Sequence, residues 1–73
     1  MNVKAFGDGV RRRVLEVVKN KLGYNKTAEV LDISKGALHN SLHGVRRVPD
    51  EVAQKALLYL TESEFREIVR EEG

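Results

Sequence analysis

The sequence predicts an all-α fold, a compact bundle of about five short helices containing a helix-turn-helix, and three observations carry that expectation. Apolar residues recur at helical spacing in every long segment. No run alternates with period two, and no Asn-Gly turn joins two such runs. Cap and stop residues bracket the periodic segments, with Asp8, Ser34 and Thr61 ahead of them and Gly23 and Gly44 behind.

The first helix is expected from Gly9 to Asn20, with Asp8 as its N-cap. Val10, Val14, Val17 and Val18 form its apolar stripe, and Arg11, Arg12, Arg13, Glu16 and Lys19 take the rest. Valines are poor helix formers, so tertiary packing must hold this segment. Gly23 ends it. The second helix is expected from Lys26 to Leu31 or Asp32, capped by Asn25, with Ala28 and Leu31 facing inward. A third starts at the Ser34 cap and runs to His43, where Gly44 stops it. The fourth is expected from Pro49, a residue favoured in a first turn, to Leu60. Asp50 and Glu51 suit its dipole, and Val52, Ala53, Ala56, Leu57 and Leu60 make its buried stripe. The fifth opens on the capping-box pattern Thr61-Glu62-Ser63-Glu64 and presents Phe65, Ile68 and Val69. Residues 1–7 are expected as a loose arm and 71–73 as a frayed end.

Size narrows the function. Seventy-three residues make one domain, 1–73, whose core closes over only about 60% of the unfolded surface. Such a chain has little room for a cofactor fold or a large cleft. Cysteine is absent, which excludes disulfide staples, thiolate zinc sites and cysteine nucleophiles. The longest apolar stretch, Ala56–Leu60, falls far short of the roughly 18 residues that span a bilayer. Met1-Asn2-Val3-Lys4 lacks the apolar region of a secretion signal, so a cytoplasmic location is expected. Charge is split along the chain. Residues 1–49 hold ten basic and four acidic side chains, and residues 50–73 hold three basic and seven acidic. A basic body with an acidic tail suits a nucleic-acid partner, and equally a solvated surface whose charges segregate.

The block from Tyr24 to Pro49 is the informative one. Its two short helices are joined by little more than Asp32 and Ile33, which forces a steep crossing. Ala28 allows close approach, and Leu31, Ile33, Leu38 and Leu42 can pack beneath the turn. On a wheel of 100° per residue, Ala37, Leu38, Ser41, Leu42 and Val45 of the third helix share one side. Gly36, His39, Asn40 and His43 share the other, with Lys35 at its edge. That outer stripe is polar but carries no Glu or Lys, unlike a merely solvated face. Asn and His suit base edges, and Gly36 permits close approach of a backbone or a thymine methyl. Arg46 and Arg47 follow directly, placed for phosphates.

On Ala28, Leu31, Ile33-Ser34, Leu38 and Gly44 followed by basic residues and Pro49, residues 24–49 resemble the helix-turn-helix of the lambda-repressor and Cro-like DNA-binding family. The core of the motif spans 24–45, and the flanking helices extend the resemblance over most of residues 9–70. The stretch Arg46-Arg47-Val48-Pro49-Asp50-Glu51-Val52 with Thr61-Glu62-Ser63-Glu64-Phe65 is also similar to amino-terminal domains of some archaeal tyrosine recombinases (integrases). The resemblance implies base contacts from Ser34, Lys35, Gly36, His39 and Asn40. It implies phosphate contacts from Tyr24, Asn25, Lys26, His43, Arg46 and Arg47. The chain departs from the family at Asp32, where glycine is usual in the turn, and at Ser41, where an apolar residue is usual.

Other constellations are weaker. His39 and His43 have the i, i+4 spacing of some metal sites, but no carboxylate or cysteine completes a set locally, so no metal or cofactor is expected. Arg11, Arg12 and Arg13 span about 200° of a helix, so one or two at most can reach phosphate. Nothing groups a nucleophile with a base and an orienting acid, and an enzyme is not expected. Leu58 and Tyr59 lie off the fourth helix's stripe; they are expected to complete the core against the fifth helix, with a protein or dimer contact as the other role. The expected partner is double-stranded DNA, with a homodimer if the chain is a free-standing regulator and no membrane or small-molecule substrate. A helical protein-interaction module is the alternative.

Overall fold

A computed structural model describes residues 6–72. The chain runs α1 (Asp8–Leu22), α2 (Tyr24–Leu31), α3 (Lys35–Leu42), α4 (Asp50–Leu57) and α5 (Glu62–Glu72), with no strand among the described residues. The expected all-α bundle is what forms. No helix among the described residues is long and apolar enough to cross a membrane.

α1 is the spine, packing against each of the other four helices. Val14, Leu15 and Val18 are buried there, while Val10 and Val17 pack at the rim. The valine stripe thus faces the core as its spacing predicts, with Leu15 as an added member. Three of the α1 expectations need correction. The helix extends to Leu22, because Gly23 at φ 87° closes it with its amide on the Lys19 carbonyl at 2.8 Å. Asp8 is not the cap: Gly7 holds that place, and Asp8 is the first helical residue. Phe6 is no loose arm, since its ring meets Phe65 edge-on at 5.4 Å between centroids. Residues 1–5 and 73 of the expected ends lie outside the described residues. Glu71 and Glu72, expected as frayed, continue α5.

α2 begins at Tyr24, two residues before the expected start, and Asn25 is inside its first turn rather than at the cap. Gly23 serves both helices. Its carbonyl accepts the Thr27 amide at 3.0 Å and the Thr27 hydroxyl at 2.7 Å, so Thr27 is buried without an unmet donor. Asp32 then takes the left-handed conformation, φ 56°, that a glycine usually supplies. The Ile33 amide reaches back to the Ala28 carbonyl at 3.0 Å and seals the end of α2. Leu31 and Leu38 are buried beneath this turn, with Ile33 and Leu42 packed against the core.

α4 stops at Leu57, not Leu60, and Pro49 is its cap rather than its first residue. The reason for the early stop is tertiary: the Lys21 ammonium donates to the Tyr59 carbonyl at 2.8 Å and to Glu64 at 2.7 Å, fixing a tight turn. The capping box at the start of α5 forms reciprocally. Thr61 Oγ1 accepts the Glu64 amide at 3.1 Å, and Glu64 Oε1 accepts the Thr61 amide at 2.8 Å. Together Lys21 and Thr61 hold the Glu64 carboxyl below its usual range. Val52, Ala53, Ala56 and Ile68 are buried, with Leu57, Leu60 and Phe65 packed against them. Leu58 does not complete the core; its backbone is still helical, and it is 81% exposed because it lies opposite the buried stripe of Val52, Ala53 and Ala56.

Candidate nucleic-acid interface

The α2–turn–α3 unit positions the outward face of α3 through local chemistry. Ser34 caps α3 as its residue type predicts, its hydroxyl accepting the Ala37 amide at 3.0 Å. The Tyr24 hydroxyl donates to the Lys35 carbonyl at 3.4 Å, tying the start of α2 to the start of α3. At the other end, Gly44 turns the chain at φ 74°. The Asn40 carbonyl accepts the Val45 amide at 2.9 Å and the Arg46 amide at 3.2 Å. This is a Schellman-type closure, and it delivers Arg46 directly beside the last turn of α3.

Burial sorts α3 into two faces. Leu38 and Ser41 are buried and Ala37 and Leu42 half-buried. Ser41 therefore packs inward in its own right, although an apolar residue would be usual there. Val45, expected on the same side, is 74% exposed. The wheel fails for it because the helix has already ended and Gly44 swings the chain outward. On the opposite side Ser34, Lys35, Gly36, His39 and His43 are exposed and Asn40 is half-exposed. Asn25 and Lys26 are exposed on the first turn of α2, and Tyr24 is half-buried beside them. Lys26 lies 3.9 Å from Glu29, which partly offsets its charge.

The His39 and His43 rings lie 4.2 Å apart with their planes tilted by 35°. Among the described residues no group of three or more His, Cys, Asp or Glu side chains is placed to hold a metal ion.

The arginines divide sharply. Arg12 pairs with Asp8 at 2.9 Å, Arg13 with Glu16 at 2.6 Å, Arg70 with Glu67 at 3.5 Å, and Arg66 with Glu62. Arg46 and Arg47 are exposed and make no ion pair among the described residues. Of the three arginines of which one or two are expected at phosphate, Arg11 is not available. It is buried instead, donating to the Val48 carbonyl at 2.9 Å and pairing with Asp50 at 2.5 Å. Position 11 stands three, four and seven residues before the buried Val14, Leu15 and Val18, so the period of α1 turns this arginine inward, and Val48, 37 residues away, supplies its partner.

Val48, another residue that sequence reading missed, is fully buried. The Asp8 carboxylate accepts its amide at 3.0 Å, so side chains of α1 take both backbone groups of Val48. The Val48 amide holds the Asp8 carboxyl below its usual range; partial burial opposes this, and Arg12 and the charge of Arg47 outweigh the opposition.

No family model matches the chain, and neither a curated protein nor a solved structure matches it.

Proposed function

We propose that this chain binds double-stranded DNA, with α3 laid in the major groove. The observation that supports this most is the exposed polar stripe of α3 running into Arg46 and Arg47, two cations that form no ion pair among the described residues. Cations held for internal structure are neutralised, as Arg12 and Arg13 are; cations left open beside a face without carboxylates suit phosphate. In this reading Ser34, Lys35, His39 and Asn40 meet base edges, Gly36 lets the backbone approach, and Tyr24, Asn25, Lys26, His43, Arg46 and Arg47 hold phosphates. A transcriptional regulator and the DNA-binding domain of a larger protein such as an integrase are the two settings that this role fits, both cytoplasmic.

The test is a backbone amide NMR titration with a random duplex of about 20 base pairs at low salt. Shifts are expected on Tyr24–Lys26, Ser34–His43 and Arg46–Arg47, fading as salt rises. With four to six phosphates neutralised, log K should fall against log[salt] with a slope of about −4 to −5. Absence of any shift removes the DNA reading. A protein-interaction module would then be the better account, with the adjacent exposed side chains of Leu58 and Tyr59 as its candidate contact.

Gly36→Ala separates the groove role from a structural one. A Cβ there meets only the Ser34 hydroxyl at 3.9 Å, ordinary contact, and the backbone angle is not left-handed. Alanine should therefore stabilise the free protein by about 0.5–1 kcal/mol in thermal melts. Affinity for DNA should fall, because the added methyl occupies the space of close approach. A variant that gains stability and binds as before removes Gly36 from the interface.

A further inference from the structure

We propose that the first turn of α1 is a positioning device for the phosphate-facing arginines: Asp8, Arg11 and Arg12 grip the α3–α4 linker and fix where Arg46 and Arg47 point. The inference rests on the DNA reading and adds residues that lie outside the α2–turn–α3 unit. Positions 8, 11 and 12 stand at i, i+3 and i+4, so they share one face of α1. Each meets the linker. Asp8 accepts the Val48 amide at 3.0 Å, and Arg11 donates to the Val48 carbonyl at 2.9 Å. The Arg12 guanidinium carbon lies 3.3 Å from where a Cβ on Gly44 would stand. Arg11 also reaches Asp50 at 2.5 Å, so one guanidinium joins the linker to the first turn of α4.

The linker needs such a hold. Between the closing turn of α3 and the start of α4 it belongs to no helix, and Pro49 offers no amide of its own. Arg46 is tied at its amide to Asn40, while Val48 is tied on both sides to α1. Arg47 sits between these anchors, close enough for its charge to act on Asp8. A flexible arginine loses conformational freedom when it meets phosphate; a linker fixed in advance leaves only the side chain to be ordered.

Charge alone predicts the opposite of the clamp, which makes the test sharp. Removing an acidic group near phosphates should tighten DNA binding. D8N and D8A remove the same charge, but only D8N keeps an oxygen that can accept the Val48 amide. On a random duplex at low salt, D8N is expected to bind at least as tightly as the unaltered protein, and D8A about tenfold more weakly than D8N. In an R46A/R47A background the gap between D8A and D8N should close, since the clamp acts through those arginines. Equal binding by D8A and D8N in the otherwise unaltered protein overturns the proposal, as does a gap that persists without the two arginines. Nitrogen-15 relaxation on the unaltered protein covers the case in which D8A does not fold. Amides of Arg46–Val48 are expected to be as rigid as those of the helices, and order parameters below about 0.6 there would overturn the clamp. An unaltered protein that binds no duplex at all sinks the DNA reading instead, an outcome distinct from either.

Discussion

Arg11→Ala is expected to destabilise the domain by about 2–4 kcal/mol in urea denaturation. The side chain is 3% exposed, and its loss strands the Val48 carbonyl in the interior and opens a cavity along α1. Breaking a fully buried pair commonly costs about 3–5 kcal/mol. The lower range applies because the Asp50 side chain is 42% exposed and can return its charge to water. A domain of this size rarely holds more than about 3–5 kcal/mol in all, so the variant should be substantially unfolded near room temperature. Arg11→Met, which keeps most of the apolar stem, should recover part of the loss. A cost below about 0.5 kcal/mol for Arg11→Ala, the range of an ordinary surface change, would show that Arg11 anchors nothing.

That one residue marks the boundary of what the sequence discloses. Features decided within a turn of chain were legible. Ser34 caps α3, Thr61 and Glu64 form their box, Gly44 turns left-handed, and Asp32 takes the place of a turn glycine. Each rests on a hydrogen bond or backbone preference that neighbours three or four residues away can satisfy. The apolar spacing of α1 and α4 likewise fixes which face turns inward, because burial repeats with the helix. Some local expectations failed, with Gly23 standing as cap where Asn25 is expected, and the larger failures depend on distant partners. The groups that satisfy Arg11 inside, Val48 and Asp50, lie far along the chain, and α4 ends early where Lys21 takes the Tyr59 carbonyl. A wheel extended past the end of α3 misplaces Val45, which is exposed, and Leu58 stays off the stripe of α4 without packing on α5. For the candidate interface, the polar stripe was legible from periodicity, since Leu38 and Ser41 fix the buried side of α3. The support beneath it, supplied by Asp8 and Arg11, was not legible, as no local pattern joins residues forty positions apart.

Asn40→Ala and the double replacement of Arg46 and Arg47 by alanine should then separate reading from holding. Within the free protein the Asn40 side chain has no hydrogen-bond partner among the described residues; its structural duty falls on the backbone carbonyl, which alanine keeps. The fold should therefore tolerate Asn40→Ala, and any loss of binding reports on DNA. On the preferred site the loss should be about 1–3 kcal/mol, with relaxed base choice at one position and an unchanged salt slope. Removing both arginines should act differently. They are exposed and form no ion pair among the described residues, so stability should change little, while every duplex is bound more weakly and the salt slope falls by about 2. Competition assays on a randomised duplex library at two salt concentrations distinguish the cases. If the arginine variant shifts base preference and leaves the slope alone, the roles assigned to linker and helix are reversed. If Asn40→Ala keeps both affinity and preference, α3 meets DNA without reading through Asn40, and the phosphate grip of the linker carries the binding.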